Sequence, residues 1–273
     1  MPLLARHPPT PHPFRIYAHR GACAELPENT LPAFARALDL GCDALETDVH
    51  LTRDGHIVVH HDRTGHRTAG IARAIAATPL ADIQRWDAGR GITLGGRGFA
   101  QQGYSIPTLA ELLRSFPAVP INVDIKAHGK VAAAAVVALI DRLGESHRVT
   151  LTSVDDATCR ALRALRYPGA VGLGKLQGLF AVSAPNFLLR RFRPDHPGGS
   201  ALQIPWKFRG RRFDRAEVVA RARALGVRLD YWTIDDAHIA RHIVALGADG
   251  IMTNDPAAVV GPVRLARATV RRD

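Results

Sequence analysis

Two charged pairs in the chain share one spacing, Glu46-x-Asp48 and Asp124-x-Lys126. Alternate side chains of a β-strand project to the same face, so each pair sets its two functional groups side by side. Two neighbouring carboxylates offer hard oxygen ligands to a divalent cation such as Mg²⁺ or Ca²⁺. Buried without such a counter-charge, they would cost several kcal/mol, roughly. Asp124 and Lys126 can also simply pair with each other. Near the first pair stand His19-Arg20 and His60-His61-Asp62. Alternation directs His61 and His60 to opposite faces, leaving His61 for chemistry and His60 as a surface or packing residue. Imidazoles titrate near neutral pH, while Arg20 and Lys126 bring positive charge suited to phosphate oxygens. The set describes metal-assisted phosphoryl transfer: His19 and His61 for protons, Glu46, Asp48 and Asp124 for the metal, Arg20 and Lys126 for the anion. Cys23 lies close to His19 but has no base partner in triad order, which argues against a thiol nucleophile.

The elements around these residues alternate regularly. Phe14–Ala18 reads as a strand ending in His19-Arg20-Gly21. Asn29 or Thr30 caps a helix carried by Leu31, Phe34, Ala35 and Leu38 and stopped at Gly41. The strand bearing Glu46 and Asp48 turns at Arg53-Asp54-Gly55 and returns over 57–61. Residues 63–106 look irregular apart from a helical patch at 80–86, and a connection of this length reads as a lid or specificity insert. Beyond Pro107, strands are expected at 120–125, 149–153, 170–176, 201–205, 228–234 and 250–253. Helices are expected at 109–115, 131–143, 155–165, 214–225 and 236–246. About eight strands, most followed by a helix, form the (β/α)₈ barrel pattern. Active sites of such barrels lie at the C-terminal strand ends, where His19, Arg20, Glu46, Asp48, Asp124, Lys126, Trp232 and Thr233 all fall. Trp232 can also be barrel filler. The main rival, a doubly wound sheet binding a dinucleotide, lacks a GxGxxG opening its first helix.

Composition narrows the function classes. A chain of 273 residues can bury a full core in one domain. No uncharged apolar run of about 18 residues appears, so stable membrane insertion is not expected. The opening MPLLARHPPTPHPF is too Pro-rich for a secretory signal, and a cytoplasmic protein with a flexible segment over 1–13 is expected. Three cysteines without CxxC spacing read as reduced thiols. The formal charge of +11 raises nucleic acid as a partner. The arginines are dispersed, however, and the densest group, Arg190, Arg191, Arg193, Lys207, Arg209, Arg211 and Arg212, reads as a solvated loop or a lure for an anionic substrate. A small-molecule partner is therefore expected, and no nucleic acid.

The ordered set His19-Arg20-Gly21, Pro27-Glu28-Asn29-Thr30, Glu46-x-Asp48, Thr52-x-Asp54-Gly55, His61-Asp62, Ile106-Pro107-Thr108-Leu109, Asp124-x-Lys126, Trp232-Thr233 and Gly250-Ile251-Met252-Thr253 resembles the glycerophosphodiester phosphodiesterase family along almost the whole chain. The resemblance implies a TIM barrel over 14–273, with the hairpin and the 63–106 insertion after its second strand. It further implies hydrolysis of glycerophosphodiesters to glycerol 3-phosphate and an alcohol with a divalent cation. By the same likeness His19 and His61 are the acid-base pair, and Glu46, Asp48 and Asp124 the metal ligands. Arg20 and Lys126 would hold phosphate, with Trp232 lining the pocket. Most members carry Glu where this chain has Asp124. A lysophospholipase D type enzyme using the same site and a non-catalytic anion-binding barrel are the alternatives.

Overall fold

A computed structural model of the chain describes residues 12–194 and 196–270. Parallel strands β1 (Arg15–His19), β2 (Ala44–Leu51), β3 (Ile121–Ile125) and β4 (Val149–Thr152) form the first half of a ring. Strands β5 (Val171–Gly172), β6 (Ser200–Pro205), β7 (Arg228–Trp232) and β8 (Gly250–Thr253) form the second. Each strand pairs with the next, and β1 pairs with both β2 and β8, which closes the barrel. A return strand, Ile57–Val59, runs antiparallel to β2. Around the ring lie α1 (Leu31–Asp39), α2 (Leu109–Ser115), α3 (Lys130–Leu143), α4 (Asp156–Ala164), α5 (Lys175–Ser183), α6 (Ala216–Leu225), α7 (Ala237–Leu246) and α8 (Pro256–Val270). The architecture is the expected (β/α)₈ barrel with its hairpin.

Local chemistry sets the element ends. The Thr30 hydroxyl accepts from the Ala33 amide and starts α1, while Thr108 and Glu111 form a reciprocal capping box on α2. Gly144 and Gly247 end α3 and α7 at φ +72° and +77°, where a side chain would strain the backbone. In β2, alternation separates the two layers. Leu45 and Val49 join Phe34, Leu112 and Ile121 in the core between strands and helices. The even positions turn into the barrel, where Ala44 packs with Tyr17 and Met252 near its base. Above them the Gln203 amide donates to Asn122 Oδ1 at 2.9 Å. The carboxylates Glu46 and Asp48 continue this inward column toward the mouth.

Three expectations need correction. The fifth strand is two residues long rather than running over 170–176, because α5 begins at Lys175. The segment after it, read as irregular, holds α5 and a short helix, Asn186–Leu189. Residues 63–106 are more ordered than expected: Thr64–Gly65 pairs with Ile71–Ala74, and Thr93–Leu94 with Arg97–Gly98. There Ala69, Ile75, Ile83, Trp86, Ala88 and Ile106 build a small core of their own with Val58 of the return strand. The flexible segment expected over 1–13 lies outside the described residues except at its end, where the Pro13 carbonyl accepts from Arg228. Among the described residues, no helix is long and apolar enough to cross a membrane. Cys23, Cys42 and Cys159 are free thiols.

Candidate active site

The barrel register gathers the charged residues at one end. His19 lies level with Glu46 across β1 and β2, and Asp48 level with Asp124 across β2 and β3. Asp48 is the hub. Lys126 Nζ stands 2.9 Å from its Oδ1 and Arg20 Nε 3.0 Å from its Oδ2, while Asn29 Nδ2 donates to Oδ2 at 3.1 Å. Arg20 reaches this position because the chain turns sharply off β1, with Arg20 at φ +62° and Gly21 at φ +86°. A Cβ on Gly21 would sit 2.7 Å from the Ala33 carbonyl carbon, so only glycine lets α1 approach.

Lys126 also donates to Asp124 Oδ2 at 2.7 Å. Three inward carboxyls thus face two cations, and the remaining imbalance falls on two oxygens. Glu46 Oε2 and Asp124 Oδ1 are buried without a hydrogen-bond partner. Burial, then the charges of Asp48 and Asp124, raises the Glu46 pKa well above the usual carboxylate range. Burial likewise raises Asp124. Burial pushes Asp48 up as well, but Lys126 and Arg20 outweigh it and hold this group below its ordinary value. Two orphaned carboxylate oxygens beside a third carboxylate fit a hard cation, and Asp48 keeps unused lone pairs after its present bonds. Among the described residues, however, no three His, Cys, Asp or Glu side chains converge into a ready-made metal cage. Lys126 lies between Asp48 and Asp124 and pairs with both.

Each imidazole is anchored through Nδ1. His19 Nδ1 lies 2.7 Å from Asn254 Oδ1, and His61 Nδ1 lies 2.7 Å from Asp62 Oδ1. The Asn254 amide cannot flip freely, because its Nδ2 donates to Asp235 Oδ2 at 3.0 Å. Its Oδ1 therefore faces His19, and both histidines donate from Nδ1 and leave Nε2 for chemistry. His19 Nε2 points toward Glu46, 3.8 Å from Oε2. Burial, reinforced by Arg20, lowers the His19 pKa and keeps the ring neutral. His61 is close enough to lower the Asp48 pKa electrostatically.

The sequence profile of the glycerophosphoryl diester phosphodiesterase family matches residues 19–258. The chain belongs to this family. A glycerophosphodiester phosphodiesterase of Caldanaerobacter subterraneus subsp. tengcongensis is 32% identical over 255 residues, covering 91% of this chain and 97% of that one. The human lysophospholipase D GDPD1 is 26% identical, covering 88% of this chain and 82% of that one. The structure of an Oleispira antarctica phosphodiesterase in complex with the product sn-glycerol-3-phosphate matches the fold with a TM-score of 0.71 at 23% identity, covering 92% of this chain and 96% of that one.

Within this phosphodiesterase, several residues beside the site escaped sequence reasoning. Asn254 and Asp235 lie just past β8 and β7, and the strand-end rule that picked out Trp232 would have found them. His50 shares the face of Glu46 and Asp48 by alternation, and its Nε2 holds the His61 carbonyl at 3.0 Å. Glu28 pairs with Arg20 at 3.3 Å and with Arg67 at 2.6 Å. Asn29 joins Thr47 to Asp48, accepting from the Thr47 hydroxyl at 2.8 Å. His60 packs as expected, buried against Thr68 and the Asp62 carbonyl. Trp232 is 38% exposed at the end of β7. A surface cavity of about 530 Å³ lies elsewhere, beside the hairpin, α2 and α3, and none of the predicted site residues lines it.

Proposed function

We propose that this phosphodiesterase hydrolyses glycerophosphodiesters to glycerol 3-phosphate and an alcohol. The observation that carries this reading is the convergence of Glu46, Asp48, Asp124, Arg20 and Lys126 at one barrel end, beside two imidazoles anchored through Nδ1. Glu46, Asp48 and Asp124 would hold a divalent cation, Mg²⁺ or Ca²⁺. When bound, the cation supplies Lewis-acid polarisation of a non-bridging phosphate oxygen. Arg20 and Lys126 contact the other phosphate oxygens and offset charge that grows in the transition state. His19, held neutral, takes the proton of the nucleophile at Nε2, and His61 gives a proton from Nε2 to the leaving alkoxide. The nucleophile is water or the neighbouring glycerol hydroxyl, the latter giving a cyclic phosphate. Trp232 lines the approach for the alcohol, and the 63–106 segment borders the site through Arg67. A cytoplasmic setting is consistent with three free thiols.

A lysophospholipid is the second substrate reading. It is favoured by the likeness to human lysophospholipase D GDPD1 and by the exposed Leu176, Leu179, Phe187 and Phe208. The test is to strip the purified protein with EDTA and titrate Mg²⁺ and Ca²⁺ calorimetrically. Turnover is then assayed on glycerophosphocholine, glycerophosphoethanolamine, glycerophosphoglycerol and lysophosphatidylcholine. We expect one saturable cation site and cation-dependent release of glycerol 3-phosphate, or of lysophosphatidic acid from lysophosphatidylcholine. Undiminished turnover in excess EDTA removes the cation, and inertness toward all four substrates removes the reading. His19→Ala or His61→Ala should each lower kcat by about 10² to 10⁴.

A further inference from the structure

The excess of positive over negative charge in this chain is concentrated on one stretch. Residues 173–213 carry eight Lys or Arg and one acidic residue, Asp195, and so supply seven of the net +11. These residues span the loops after β5 and β6, neighbouring strands whose C-terminal ends open on the same face as the charged site. The β6 loop abuts the end of β7, where the Trp206 amide donates to the Trp232 carbonyl at 3.1 Å. Beyond it a small hairpin pairs Lys207 with Arg212 and Phe208 with Arg211, and all four side chains are exposed. Among the described residues, Lys175, Lys207, Arg209 and Arg211 have no carboxylate within ion-pair distance.

Apolar side chains are interleaved with these cations. Phe208 is 55% exposed at the hairpin, and Leu176 and Leu179 are 64% and 57% exposed on the first turns of α5. Large apolar groups left in water beside unpaired cations are the composition of an interfacial surface, since a bilayer takes up the apolar groups while anionic headgroups pair with the Lys and Arg rim. A soluble anion would account for the cations alone. We propose that the rim formed by the β5 and β6 loops, with Leu176, Leu179 and Phe208 as apolar contacts and Lys175, Lys207, Arg209 and Arg211 as cations, docks the barrel mouth on an anionic lipid bilayer. The proposal rests on the phosphodiesterase reading only for its purpose, which is to present the mouth to phosphodiesters held in a membrane.

The test is vesicle sedimentation of the full chain, which needs no turnover. Failure of the proposed reaction would therefore leave this readout intact. The protein should sediment with equimolar phosphatidylcholine and phosphatidylglycerol vesicles, not with pure phosphatidylcholine, and should be released by high salt. The triple variant Lys207→Gln, Arg209→Gln, Arg211→Gln should weaken binding by about 10²-fold, and the pair Leu176→Ser, Phe208→Ser by about tenfold. Both variants alter exposed side chains and should hydrolyse a soluble diester at the wild-type rate. Absence of sedimentation with anionic vesicles overturns the proposal. Loss in the Gln variant with full binding by the Ser pair also overturns it, because the patch would then be a polyanion site of the kind that takes RNA.

Discussion

His19 donates from Nδ1 to Asn254 Oδ1 across 2.7 Å, and Asn254 is itself fixed by Asp235, which accepts from the Asn254 backbone amide at 2.7 Å and its side-chain amide at 3.0 Å. The imidazole is thus held in one tautomer by a neutral amide rather than by a carboxylate. Asn254→Ala should lower kcat by about tenfold to a hundredfold, less than His19→Ala, because the ring survives without its guide. In ¹⁵N spectra the His19 signals should lose their single Nδ1–H pattern and show exchange between tautomers. An unchanged ¹⁵N pattern in the variant would show that Asn254 does not set the tautomer.

Glu46 is the carboxyl that the surrounding negative charge tolerates least. Burial and its acidic neighbours raise its pKa, so without a cation the neutral isostere loses little. Glu46→Gln should therefore melt in EDTA at or above the wild-type Tm. The wild type should gain about 2.7 kcal/mol at a hundredfold excess of cation over Kd, and the variant should gain almost nothing. Equal cation-induced Tm shifts in both proteins would take Glu46 out of the ligand set.

Arg67 ties the 63–106 segment to the site, pairing with Glu28 and with Asp62 at 2.7 Å. Although burial opposes it, the hydrogen bond from Arg67 and the contact with His61 hold the Asp62 carboxyl down to about 2. A depressed carboxylate stabilises the fold above its unfolded pKa of about 3.9, and that contribution fades as the pH falls through the folded value. Arg67→Ala should therefore melt below the wild type at pH 7. The gap should narrow below about pH 4 and close near pH 2, as followed by circular dichroism. A gap that stays constant down to pH 2 would mean that Arg67 acts through packing instead.

Cys23 lies within 3.2 Å of Asn254 Oδ1, yet burial pushes its thiol up to about 12. Burial does the same for Cys42, to about 12, and for Cys159, to about 11. Thiolate is therefore scarce at neutral pH, and native protein should react slowly with iodoacetamide. In denaturant all three should label within the time of a free cysteine, as read by intact mass. Rapid native labelling of Cys23 would reopen a nucleophilic role for it.

The barrel and most of its site were legible because β2 follows a rule with little freedom. Alternation sends Leu45 and Val49 to the core, and Glu46 and Asp48 inward. The same rule also reached His50, two residues past Asp48 on the same face, yet only the acids of that column were read as ligands. Elsewhere the missing information was tertiary. No residue beside Lys175 can cap α5 locally, because Gly174 has no side chain, so 170–176 reads as strand. The cap comes from Asp156, whose carboxylate accepts from the Leu176 amide at 3.1 Å. The order within 63–106 likewise depends on Trp86 and Ile83 meeting Val58, contacts that periodicity does not encode.

The seam between β1 and β8 joins strands made at opposite times in synthesis. His19 leaves the ribosome early, but Asn254, which orients it, follows the last strand of the ring. A nascent chain whose last barrel strand is still to be made therefore holds His19 without the amide that orients it. The His19 ring gains this guide only once β8 has paired with β1.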